Sequence, residues 1–281
     1  MSGPEVKKRH AQVVYNGTVE APTTQPTTKA RTRDNKYIFS GFRPEKADYL
    51  EILTSLTSLH NETCNVYTHL VGALLLPLIA TAFMRVLSEP QFLNVSGIDF
   101  FMFRIFFWSA ECCLILSTAF HLLGSHSQGA EQFWHRMDLM GIVIAILGTF
   151  IPGIFYIFTC EPGLQKLHSA IVGSFVALGA SAFIPLLHGV QLYGLEYMLQ
   201  YSGMKWYLLE IVSYGVGVGL YGFRIPERLA PGKFDIWGSS HQIFHIAILC
   251  GMYLHAVALT QAFTAYHTLD ICNIKAAHRA S

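Results

Sequence analysis

This sequence predicts an all-α fold, a bundle of membrane-spanning helices, and three observations carry the prediction. Only 13% of its 281 residues are charged, roughly half the fraction of a soluble domain. The 52% that are hydrophobic give a mean hydropathy of +0.38. They also gather into runs of about 20 residues, the length that crosses a bilayer core as a helix. The net charge of +1 offers no basis for a nucleic-acid partner.

Residues 1–45 form a polar tail, with Pro, Thr and Gln between Ala21 and Thr28, a composition that reads as disordered. It holds no apolar core segment of the kind a cleaved signal peptide needs, so the first span is expected to act as its own insertion signal. Lys7, Lys8, Arg9, Arg31, Arg33, Lys36, Arg43 and Lys46 place this end in the cytosol by the positive-inside rule. Within residues 46–64, Leu50, Leu53, Leu56 and Leu59 recur every three residues, with Ile52 among them. That stripe suits an amphipathic helix on the cytosolic membrane surface, or a cap packed under the bundle.

Residues 65–262 are the bundle, followed by a short tail, 263–281. Six span candidates stand out, at roughly 66–87, 99–123, 138–159, 167–189, 205–224 and 241–262. Pro77, Pro152 and Pro185, and Gly215, Gly217 and Gly219, fall inside them, where membrane helices use such residues for kinks and close packing. Asn94-Val95-Ser96 is a glycosylation sequon in the first exterior loop; Asn16 and Asn61 head sequons on the cytosolic side, where they go unused. The six cysteines, 64, 112, 113, 160, 250 and 272, are scattered and read as small hydrophobes rather than a disulfide framework.

Six crossings from a cytosolic N-terminus create a conflict. They leave His121 inside and His241 outside, and put the loop 225–239, edged by Arg224, Arg228 and Lys233, on the side the positive-inside rule disfavours. Something unusual is therefore expected between the third and fourth spans, in the stretch from 160 to 204.

The conflict matters because the histidines carry the chemistry. His241 and His245 are four residues apart, hence on one helical face at the mouth of the last span. His121 ends the second span in Ser117-Thr118-Ala119-Phe120-His121. Two imidazoles from one helix and one from another can make a three-ligand metal site with an open fourth position, the arrangement of a catalytic zinc. A single histidine near a helix end is more often an interfacial belt residue. Asp138 opens the third span, and an acid at membrane depth points to a cavity or a metal, although pairing with His135 or Arg136 is the plainer role. Ser117 shares a face with His121 or bonds its own helix backbone. Glu62, Asn65 and His69 read as a polar staple at the first span, Glu111 has no assignable role, and His126, His168, His188, His255 and His267 read as interfacial or core residues.

These features, together with Glu62-Thr63-Cys64-Asn65, Arg224-Ile225-Pro226-Glu227-Arg228 and Lys233-Phe234-Asp235-Ile236-Trp237, resemble the progestin and adipoQ receptor family over roughly residues 37–262. That family includes the adiponectin receptors and the bacterial hemolysin III group. The resemblance implies seven spans and a zinc ion near the cytosolic face, held by His121, His241 and His245, with Asp138 orienting its water and Ser117 beside the first ligand. Here the pattern departs: one further crossing is expected between Phe158 and Lys166, as though about 30 residues were missing. Cys64 stands where Gly is expected.

The function these readings imply is zinc-dependent hydrolysis of a lipid amide, ceramide-like, with a membrane lipid as substrate. The rival is a receptor or sensor with structural zinc, responding to an extracellular protein or small-molecule ligand. Either belongs in the plasma membrane or an endomembrane, without a nucleic-acid partner.

Overall fold

The structure is a computed structural model that describes residues 35–45, 48–92, 94–175 and 183–280. Most of the tail expected to be disordered lies outside them. Among the described residues the chain is helical and has no strand. Short α1 (Tyr49–Thr54) is capped by Asp48, whose carboxylate accepts from the Leu50 amide at 2.8 Å, and runs into a single tighter turn, Ser55–Thr57. The long helices follow: α2 (Thr63–Leu87), α3 (Gly97–Leu123) and α4 (Gln128–Ile157). Next come α5 (Pro162–Phe175), α6 (Phe183–Tyr193) and α7 (Leu195–Tyr201), then α8 (Met204–Phe223), α9 (Ser240–Thr268) and α10 (Ile271–Ala280).

Helices α2, α3, α4 and α9 are each long and apolar enough to cross a membrane. Their exposed faces carry Leu74, Leu78, Trp108 and Tyr253, which would be costly in water and are natural against lipid. Helix α8, of 20 residues, runs antiparallel to α9. The Ser213 hydroxyl donates to the Ala247 carbonyl at 3.0 Å, Tyr221 stands against His241 at one end, and Trp206 Nε1 donates to Gln261 at the other. Gly203 makes that far junction feasible. Its φ of +78° favours glycine, and a Cβ there would lie 2.5 Å from the Ala258 carbonyl oxygen.

The candidate span 167–189 is not a single helix. His168 Nε2 and His188 Nδ1 lie 2.7 Å apart, whereas a continuous helix would separate residues so spaced by about 30 Å. Helices α5 and α6 therefore fold back on one another, and Phe158 stacks on His168 at 4.6 Å. The chain leaves α4 and enters α8 at the same end of the bundle. Among the described residues this arrangement puts the end of α3 and the start of α9 at one end of the bundle, as the histidine reading requires. The starts of α2, α4 and α9 and the ends of α3 and α8 share one end, which holds the candidate histidines.

The opposite end is closed by α6, α7 and α10 over a core of Ile157, Phe158, Tyr193, Tyr197 and Met198. A disulfide joins Cys160 to Cys272, a pairing that corrects the reading of all six cysteines as small hydrophobes. Lys275 is buried there. Its ammonium donates to the Ile157 carbonyl at 2.6 Å and lies 4.9 Å from the Tyr193 ring centre, and burial lowers its pKa to about 8 against the pull of Glu161.

Because the bond closes a loop of 112 residues, replacing both cysteines by serine is expected to lower stability by about 2–5 kcal/mol. Thermal unfolding of the detergent-solubilised pair of variants, with and without reductant, measures this; a parent protein indifferent to reductant would contradict it.

Candidate metal centre

His121 lies in the last turn of α3, two residues before its end, and His241 and His245 lie in the first two turns of α9. Potential ligand atoms of the three all fall within 4.8 Å of one another. Their ring centres are 4.7 to 4.9 Å apart and the planes are steeply inclined. Three imidazoles so placed can turn one nitrogen each toward a common point.

The other nitrogens decide which tautomer is available. His121 Nδ1 lies 2.7 Å from the Glu62 carboxylate, leaving Nε2 buried without a protein partner. His245 Nδ1 lies 3.3 Å from the Thr68 hydroxyl. An acceptor at Nδ1 keeps the proton there and the lone pair on Nε2. Glu62 and Thr68 both belong to the α2 entry, and Glu62 is itself held by the Asn65 amide at 2.8 Å. The polar staple expected at this position thus reaches the histidines. His69, also on α2, stacks on His245 at 3.9 Å with both ring nitrogens buried and unpartnered. The donor set fits a divalent cation of zinc type: neutral nitrogen ligands with hydrogen-bonded outer partners.

Asp138 and Ser117 line the same cavity as the three histidines, and Ser117 is hydrogen-bonded to the Asp138 carboxylate. All five residues singled out from the sequence are therefore brought together. The cavity holds about 610 Å³, and its wall combines apolar side chains, including Phe106, Ile248 and Met252, with polar ones such as Arg43, Asn65 and Arg224. Leu139, Ile142 and Ile146 on α4 line it and are exposed. Their i, i+3, i+7 spacing puts them on one face of that helix.

A strap, residues 35–43, covers the histidine end. Asp235 accepts from the Phe39 and Ser40 amides at 3.1 and 2.8 Å and from the Ser40 hydroxyl at 2.6 Å. Arg43 caps the end of α3, donating to the carbonyls of His121 at 2.5 Å and Leu122 at 3.1 Å. Fully buried Glu227 accepts from the Ser240 amide at 2.8 Å, from the Ser240 hydroxyl, and from Asn35 at 2.9 Å. Burial pushes the Glu227 carboxyl up, but the hydrogen bonds from Ser240, its own amide and Asn35 outweigh this and hold it below the usual carboxylate range. That anchor sits one residue before His241. Spacing in the sequence assigns none of these roles to Arg43, Glu227 or Asp235, because their partners lie on other elements.

Three of the histidines read as interfacial or core residues have partners distant in the chain. His255 Nδ1 lies 2.8 Å from Glu210, His267 Nε2 lies 3.1 Å from Asp99, and His126 stacks on Tyr49. These partners are distant in sequence, so spacing alone could not reveal them.

Comparison with known proteins locates the chain among similar sequences. The family model described as haemolysin-III related matches residues 57–174 and 170–256. The two pieces meet within α5, the region where the expected span pattern breaks. The progestin and adipoQ receptor-like protein 1 of Caenorhabditis elegans is 34% identical over 82% of this chain, which covers 58% of that protein. The ADIPOR-like receptor IZH2 of Saccharomyces cerevisiae is 31% identical, with 84% of this chain and 82% of the yeast protein covered. The heptahelical transmembrane protein 1 of Arabidopsis thaliana is 30% identical, with 80% and 76% covered.

Removing the Glu62 carboxylate should free the His121 ring. Zinc affinity, measured by chelator competition on the purified protein, is expected to fall about 10- to 100-fold in Glu62→Ala and less in Glu62→Gln, which keeps an acceptor. Equal affinity in all three proteins would remove Glu62 from the site.

Proposed function

Since the chain belongs to the haemolysin-III-related family of integral, multi-pass membrane proteins, we propose that it is a zinc-dependent hydrolase of a ceramide-like lipid amide. One observation carries the reading: three imidazoles within ligand distance of one another, on a cavity that also holds a carboxylate and a run of apolar side chains. Zinc held by His121, His241 and His245 would supply Lewis acidity there.

The chain's own groups supply the rest. Asp138 accepts a proton from the attacking water and returns one to the leaving amine, the general acid–base task of amide cleavage. Ser117 holds that carboxylate in place through its hydrogen bond. Glu62 and Thr68 hold the protons of His121 and His245 on Nδ1 and so leave each Nε2 unprotonated. The apolar wall admits the acyl chain past Leu139, Ile142 and Ile146, so the substrate need not leave the bilayer.

The proposed orientation puts the histidine end in the cytosol. The basic residues around Arg43, Arg224 and Arg228 lie at that end, in keeping with the positive-inside rule. The Cys160–Cys272 disulfide lies at the other, where an oxidising exterior or organelle lumen would preserve it.

A receptor or sensor with a structural zinc is the second reading, favoured by the names of the nematode and yeast relatives and by the strap that ties the α3 and α9 ends together. Two variants separate the readings. His245→Ala is expected to abolish both zinc retention and ceramide hydrolysis. Asp138→Asn is expected to retain zinc while amide turnover falls by about 10²- to 10⁴-fold. Undiminished turnover in Asp138→Asn would reject the hydrolase mechanism, and intact zinc-dependent signalling without turnover in the parent would select the receptor.

A further inference from the structure

Ionisable groups continue through the bundle well beyond the metal centre. His255 stands ten residues beyond His245 on α9, a rise of about 15 Å, and His267 lies about 18 Å further. Each is buried beside a carboxylate from another helix: Glu210 of α8, at 2.8 Å from His255 Nδ1, and Asp99 of α3, at 3.1 Å from His267 Nε2. Acids and histidines at membrane depth are costly and are found where charge or substrate must pass.

Tyrosines fill the intervals. Tyr214, hydrogen-bonded to Glu210, lines the metal-site cavity and lies flat over Gly251, where a Cβ would come within 2.1 Å of its ring. Tyr207 packs on the His255 ring at 5.1 Å, and its hydroxyl lies 3.5 Å from the Cβ position of Gly153 on α4. One turn along α4, the Tyr156 hydroxyl donates to Asp99 at 3.1 Å. The other Asp99 oxygen accepts from the Ser96 hydroxyl at 2.8 Å, and Ser96 is exposed at the far end of the bundle. Purely structural polar clusters satisfy their members, yet here two buried atoms that flank the middle interval, His255 Nε2 and the Tyr207 hydroxyl, have no protein partner.

We propose that this file, Asp99 and His267, then Tyr156, Tyr207, His255, Glu210 and Tyr214, is a proton pathway between the far surface and the metal-site cavity. Each group takes up one proton and gives one up, so nothing is oxidised or reduced. The net event is one positive charge moved across most of the membrane. The pathway stands apart from the hydrolase reading, since its members neither ligate the metal nor act on the lipid.

The test uses the full chain reconstituted in vesicles that enclose a pH-sensitive dye, with a potassium gradient and valinomycin setting the potential. Protein-containing vesicles are expected to acidify faster than empty ones. Glu210→Gln should reduce the excess rate at least tenfold while leaving zinc content at the parent level. Should Glu210→Gln fail to fold, Tyr207→Phe, which removes only a hydroxyl, is expected to give the same loss. Acidification no faster than in empty vesicles, or an undiminished rate in a folded variant, would overturn the proposal. Failure of hydrolysis with flux intact would reject the enzymatic reading alone.

Discussion

Three imidazoles can share one cation only when each turns the correct nitrogen toward it, and in this chain much of that choice is made by a helix that contributes no ligand. The entry of α2 presents Glu62 to His121 and Thr68 to His245. A carboxylate on Nδ1 both fixes the ring and raises its basicity at Nε2. The backbone at both ligand-bearing ends is fixed as well. Arg43 caps α3 just after His121, and Glu227 anchors α9 just before His241. Without these contacts the rings would keep their sequence spacing but lose a common direction.

That geometry demands that α3 end and α9 begin on the same side of the membrane. An uninterrupted passage through 167–189 would forbid it. The fold-back of α5 on α6, recorded by the contact between His168 and His188, returns the chain to the end it left. The disulfide and buried Lys275 then bind α10 over that end. The fold-back and the metal centre, at opposite ends of the bundle, are consequences of one topological requirement.

What could be read from the sequence follows from the range of the interactions involved. Hydrophobic runs gave the all-α bundle because lipid exposure writes itself into composition. The i, i+4 rule put His241 with His245 and Ser117 with His121, since those relations are local to one helix. Likeness to a family joined the two sets, as it did Asp138. The Cys160–Cys272 bond, the partners of His255 and His267, and the hold of Glu62 on His121 all cross between elements 45 to 168 residues apart. No periodicity records such pairs. Glu62 was placed correctly at a polar junction, but what it faces depends on the packing of α2 against α3.

Whether the centre has an open position turns on His69, the imidazole that stacks on His245. Its ring stacks on His245 at 3.9 Å and only 17° from parallel. A metal lies close to the plane of each imidazole that binds it, at about 2.0–2.1 Å from the nitrogen. Two nearly parallel planes separated by a stacking distance share no such point, so His69 and His245 cannot bind one ion in this arrangement. The fourth direction is left to the cavity, where Asp138 waits beside Ser117. A structural zinc closes its shell with protein ligands, whereas this donor set would leave room for water and substrate, which is the physical reason we propose turnover rather than a merely structural metal.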